Sequence, residues 1–203
     1  ARASRYVRDG RILVVPTDTV YGIGCAADNP EAVAAVLAAK GRGRQMPPPV
    51  LVASADAIDS LCVDVPDYAR RLARAFWPGG LTLILTARPD LGWDLGETGG
   101  TIGVRMPAQE ALLALLTDVG PMAVTSANLT GQPPATSIDQ ALGYFGTRVG
   151  AYLDAGPTKG STASSIVDCA HGTPRVIRLG TISLDDLSQA AGVSIDAPQG
   201  GNA

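Results

Sequence analysis

The chain keeps its apolar runs short. ILVV (12–15), VLVA (50–53), LTLILTA (81–87), TIGVRM (101–106) and MAVT (122–125) are no longer than one strand, and proline or glycine bounds each. Proline cannot donate to a ladder and glycine weakens it, so these runs read as short buried strands. Between them lie segments with helix signals. In DNPEAVAAVLAAK, Asn29 can cap, Pro30 suits the first helical position, and Glu31 favours the positive end. Val33, Val36 and Leu37 supply its core stripe. ARASRYVRD, DAIDSLC, PDYARRLARAFW, AQEALLALLTDVG and SIDQALGYF read as further helices. SLDDLSQAAG closes the pattern with a capping box from Ser183 to Asp186. AYLD, SSIV and RVIRL read as further strands, and near 164–180 no helix separates them. Alternation of strand and helix predicts a single α/β domain, and that hairpin makes its sheet mixed. With no internal repeat and no linker, residues 1–192 are expected to form the domain and 193–203 a flexible tail.

A chain of 203 residues with 46% hydrophobic and 17% charged residues suits one substantial core. Its net charge of −3 gives no overall field for nucleic acid. RYVRDGR, KGRGR and YARRLAR could form a local basic groove, although each reads first as a solvated face. Cys25, Cys62 and Cys169 are odd in number and lack CxxC spacing. They are expected to be buried free thiols in a reducing compartment, which makes the cytoplasm the default. His171 is the only histidine and sits in a turn-like HGTP, which argues against a Ser/His/Asp triad or a histidine zinc site. No stretch reaches membrane-spanning length, and ARASRYVRDGR lacks the apolar centre of a signal peptide.

Polar groups gather at the ends of the apolar runs. Thr17, Asp18, Thr19 and Tyr21 follow ILVV, Arg105 closes TIGVR, SAN (126–128) follows MAVT, and KGR (40–42) ends a helix. PTDT is either a tight turn with local caps or part of a ligand site, because open α/β sheets bind ligands at strand ends. Together the groups suggest an anion-handling cleft, in which arginine grips a planar anion by a fork and lysine acts as a point charge. GPTKGST (156–162) has the wrong order for a phosphate loop, and GRGR lacks the third glycine of a dinucleotide fingerprint. Asp9, Asp18 and Asp28 do not have the spacing of a metal cluster.

PTDTVYGIG, KGR followed by Pro47, AFWPGGLTLIL, TIGVRMP, GPMAVTSANLTG, SSIVD and VIRLG occur here in that order, and with them the chain resembles the threonylcarbamoyl-AMP synthase family, the YrdC-like domain. The resemblance spans essentially all of residues 10–180. Its signature of lysine, arginine, serine and asparagine falls on Lys40, Arg42, Ser126 and Asn128. It implies a twisted open mixed β-sheet with flanking helices around a positively lined cavity for ATP, L-threonine and bicarbonate, with Mg2+ accompanying ATP and no protein metal ligands. The implied product, threonylcarbamoyl adenylate, would pass to a tRNA threonylcarbamoyl transferase machinery for modification of adenosine 37. Thr17, Thr19, Tyr21 and Arg105 are implied at the threonine end. Ser126, Asn128, Ser164, Ser165 and Arg178 are implied at the nucleotide, with Lys40 and Arg42 between the two as ATP-binding catalytic clamps.

Some positions depart from the family pattern. Met46 stands where a lysine is common, Ser164–Ser165 replaces Ser-Thr, and RLG replaces RPG after Val176 and Ile177. Longer members carry an extra C-terminal domain, and by the resemblance this chain is expected to be the short form or a truncated long one. Two rival readings are a double-stranded RNA or tRNA binding module of the same fold, and another carbamoyl transfer reaction.

Overall fold

The computed structural model describes residues 2–198. Among these, the strands are β1 Leu13–Val15, β2 Gly22–Ala26, β3 Val50–Leu51, β4 Leu81–Thr86, β5 Thr101–Arg105, β6 Met122–Ser126, β7 Ala151–Tyr152, β8 Ser165–Asp168 and β9 Arg175–Arg178. They form one mixed sheet in the order β7-β1-β2-β6-β3-β5-β4-β8-β9. The helices are α1 Arg2–Arg8, α2 Pro30–Lys40, α3 Ala57–Leu61, α4 Asp67–Phe76, α5 Glu110–Val119, α6 Ile138–Phe145 and α7 Leu184–Ala191. Their caps follow the residues that announced them. Asn29 accepts from the Ala32 amide at 3.0 Å, and Ser183 both accepts from the Asp186 amide and donates to its carboxylate.

Alternation along the strands builds two cores on opposite sheet faces. Val14, Ile23, Val50, Leu83, Val104 and Val167 face one way and pack with α2, α4, α6 and α7 through Val36, Leu72, Phe145 and Leu187. Leu13, Val15, Leu51, Met122 and Val124 face the other way, against Val7 of α1 and Leu112, Leu115 and Leu116 of α5. That second layer covers only the β1–β2–β6–β3 half of its face. Over β5, β4, β8 and β9 the same face is left open, and there it forms a cleft.

β2 falls on GIGCA, a stretch to which the sequence assigned no element, and its glycines let the strand lie against β6. A Cβ on Gly24 would sit 2.5 Å from the Ala123 carbonyl oxygen, and one on Gly22 would sit 2.5 Å from Val124 Cγ1. Since β2 runs antiparallel to β1, PTDTVY is the connection of an antiparallel pair rather than a crossover to a helix. The expected tail also differs. Ile195 is buried, and Asp196 pairs with Arg175 on the outer edge of β9, with its amide on Pro174 and its carbonyl on Val176. Ile195 by its apolar side chain and Asp196 by its backbone are thus held against the fold, so the packed chain does not stop at 192. Residues 199–203 of the expected tail lie outside the described residues.

Gly24→Ala is expected to destabilise the fold by about 1–3 kcal/mol through overpacking. At Gly143, inside α6, a Cβ would meet nothing within 4 Å, so alanine there should instead gain about 0.5–1 kcal/mol. Urea unfolding of the two variants checks both signs.

Candidate active site

Helix α2 delivers the first cation. It stops at Gly41, whose φ of 63° is left-handed, and the amides of Gly41 and Arg42 close on the carbonyls of Ala38 and Leu37. That turn aims Lys40 and Arg42 at the end of β6. Lys40 is buried, and its ammonium donates to the Ser126 carbonyl, the Asn128 carbonyl at 2.7 Å and Asn128 Oδ1 at 3.2 Å. Ser126 Oγ donates to the same Oδ1 at 2.6 Å, and Asn128 Nδ2 donates to the carbonyls of Leu129 and Gln132. Three signature residues are therefore tied mainly to one another. Lys40 contributes its charge and the shape of the 126–128 loop, while its protons are already engaged.

Arg42 keeps free donors. Its Nη1 donates to Thr125 Oγ1 at 3.0 Å, and its buried Nε has no partner. Across the cleft Arg178 donates from Nε to the Ser164 carbonyl and from Nη2 to Ser164 Oγ. Among the described residues, none of Lys40, Arg42 and Arg178 makes a salt bridge. Burial lowers the Lys40 ammonium to about 8, and Arg42 adds to the effect. Burial likewise lowers Arg42 and Arg178, helped by Arg178 and Arg105 respectively. Each cation thus feels the next along a row that lacks carboxylates, which is an arrangement that favours an anionic ligand.

The cleft holds about 340 Å3. Lys40, Arg42, Ser126, Asn128, Ser164 and Arg178 form its polar side, and Met46, Pro47, Ile84, Leu95, Ile102 and Ile166 its apolar side. A smaller chamber of about 40 Å3 continues from it, lined by Thr17, Thr19, Arg105, Ser164 and Arg178 among others. Arg105, expected to grip a carboxylate with its fork, already holds protein groups. Nη2 pairs with Asp18 at 2.7 Å, Nε donates to the Gly79 carbonyl, and both Nη atoms lie 3.3 Å from Thr19 Oγ1. Asp18 also accepts from the Ala108 amide. The PTDT connection is thereby pinned over the end of β5, leaving one Nη1 hydrogen for a ligand.

Two expected site residues lie elsewhere. Tyr21 is buried in the larger core and donates its hydroxyl to the Gly156 carbonyl at 2.7 Å. Ser165 is buried and accepts from the Gly180 amide at 2.9 Å, holding the loop after β9. Neither lines the cleft or the chamber, because alternation turns each away from its lining neighbour. Thr82 and Ile84 also line the cleft, and neither was among the expected site residues. In LTLILT they alternate with Leu81, Leu83 and Leu85, which are core residues, and that alternation was the available signal.

The family profile described as "Telomere recombination", of the Sua5, YciO and YrdC proteins, matches residues 5–180. The chain belongs to the Sua5/YciO/YrdC family. A Mycobacterium leprae protein named "Putative threonylcarbamoyl-AMP synthase" is 51% identical over 193 residues, covering 95% of this chain and 88% of its own length. The Bacillus subtilis threonylcarbamoyl-AMP synthase is 35% identical over 195 residues, 95% of this chain and 56% of that relative. The structure of Pyrococcus abyssi Sua5 complexed with L-threonine matches with a TM-score of 0.89 at 31% identity, covering 97% of this chain and 58% of that one. The chain therefore spans little more than half the length of these last two proteins. Membership in this family supports nucleotidyltransferase-type enzymatic activity within tRNA modification.

Asp18→Ala leaves the buried Arg105 guanidinium without its carboxylate and should destabilise the fold by about 3–5 kcal/mol. Adding Arg105→Met should recover part of that loss in denaturant titrations.

Proposed function

We propose that this protein forms L-threonylcarbamoyl adenylate and pyrophosphate from L-threonine, bicarbonate and ATP, for the modification of adenosine 37 in tRNA. The observation that carries this reading is the row of carboxylate-free cations bordering a two-part cavity. The larger part offers apolar walls for a nucleobase and cations for phosphates, and the smaller part has the hydroxyls and residual donor suited to an amino acid. The relatives' names, and the threonine bound in the Pyrococcus abyssi structure, support the same assignment.

The chemistry asks little of the protein beyond placement. The threonine amine and bicarbonate give an N-carboxylated threonine and water. Its new carboxylate oxygen attacks the α-phosphorus, and the bond to the leaving pyrophosphate breaks. Holding two anions together and offsetting the charge that gathers between them is the main catalytic task. Arg42 and Arg178 have donors to do so directly. Lys40 acts through its charge and through the 126–128 loop. Among the described residues, no carboxylate lines either part of the cavity. Magnesium therefore enters on this reading as the ATP complex, held by phosphate oxygens and water.

An RNA-binding role draws less support, because Arg8, Arg44, Arg70 and Arg88 on the surface already pair with Asp118, Asp94, Asp59 and Asp90. We also assign the protein to the cytoplasm, since three buried unpaired thiols suit a reducing compartment.

Pyrophosphate should appear only when threonine and bicarbonate are both supplied with Mg-ATP. Release that ignores threonine, or that yields ADP, would end this reading. The rate at limiting ATP should also fall as pH rises through about 8, where the Lys40 ammonium loses its proton. The charged form is the active one, so the loss lies on the alkaline side. Bound ATP favours that charged form and should move the fall to higher pH when ATP is saturating.

A further inference from the structure

The cleft and the small chamber share five lining residues, Pro49, Thr82, Thr125, Ser164 and Arg178. In the proposed reaction, the bond between the two substrates forms where these residues stand. Thr82 is buried on β4, and the one side-chain partner of its hydroxyl is Ser164 Oγ at 3.2 Å. Ser164 Oγ also accepts from Arg178 Nη2 at 3.2 Å.

Counting protons at this pair leaves one unused. Two hydroxyls carry two protons, and their mutual hydrogen bond uses one. Arg178 supplies a donor rather than an acceptor, so it cannot take the other. Either hydroxyl can donate within the pair, and in the arrangement where Thr82 donates both lone pairs of Ser164 Oγ are occupied, by Thr82 and Arg178. The Ser164 proton then remains for the junction, and it is polarised by two donors.

We propose that Thr82 is a positioning residue for the adenylating step, orienting Ser164 so that its hydroxyl donates to the phosphate at the junction of the two compartments. This rests on the reading of the reaction given above. A hydroxyl set in this way suits a phosphate oxygen and gives nothing to an uncharged nucleoside lacking that group.

The test uses AMP and adenosine as probes in calorimetric titrations, alongside pyrophosphate release. Thr82→Val keeps the shape of the side chain and removes the hydroxyl. It should weaken AMP by about 10- to 100-fold, the worth of a charge-assisted hydrogen bond, and leave adenosine unchanged. Thr82→Ser should restore AMP binding to within about threefold. Ser164→Ala should match the loss, and adding Thr82→Val to it should cause no further loss, because Thr82 acts through Ser164. The inference is overturned if Thr82→Val binds AMP as the unaltered protein does, or if its effect persists in full without the Ser164 hydroxyl. It is overturned equally if the unaltered protein binds AMP no better than adenosine. Threonine-dependent pyrophosphate release in that last case would keep the reaction and reject only the role of Thr82. The expected binding pattern without pyrophosphate release would reject the reaction and keep the phosphate contact.

Discussion

A buried ammonium group held by oxygens of a single loop organises this molecule's working side. Lys40 reaches from the end of α2 to the carbonyls of Ser126 and Asn128, joining the helix of one face to a strand end deep in the sheet. Without that cation the loop's inward carbonyls would lose buried partners, which is unfavourable in a dry interior. Without the loop, the cation would be buried and unpaired, which is worse. Each makes the other tenable, and the place of Arg42, two residues beyond, follows from where Lys40 is held.

The site is also a consequence of incomplete cover. One face of the sheet carries a full helical layer, whereas on the other face α1 and α5 shield only the strands bearing Leu13, Val15, Leu51, Met122 and Val124. Over the rest of that face Thr82, Ile84, Gly103 and Ile166 stand where leucines would otherwise pack under a helix. A half-bare sheet face, bordered by cations from separate segments, gives one rigid floor to two kinds of ligand surface. Rigid placement matters most for chemistry that depends on bringing anions together.

Much of this was legible in the sequence because it is local. Asn29, Pro30 and Gly41 declare α2 by capping chemistry that needs no tertiary contact, and LTLILT declares a strand as a short apolar run that Gly80 bounds. The KGR and SAN segments were legible as site candidates because charge and amide groups beside apolar runs are unusual. GIGCA was not legible as a strand, since its fitness depends on how near Ala123 and Val124 approach, and no composition rule reports that. Tyr21 and Ser165 were misplaced for a related reason. Each adjoins segments that do line the cavity, and a single residue of register turns a side chain to the opposite face. Arg105 lines the small chamber, but its donors were counted as free when Asp18, only one residue from Thr17 and Thr19, already held one of them.

The row of like charges has a consequence for the protein at rest. Arg42 disfavours the charged form of Lys40, Arg178 that of Arg42 and Arg105 that of Arg178, while the Asp18 carboxylate pairs with Arg105 alone. A polyanion settling among the cations relaxes this tension. Grip on the substrate and fragility in its absence are then two expressions of a single coupling free energy. Substitutions that quiet the repulsion would be expected to toughen the scaffold while loosening its hold, so selection for robustness and selection for turnover pull this cleft in opposite directions.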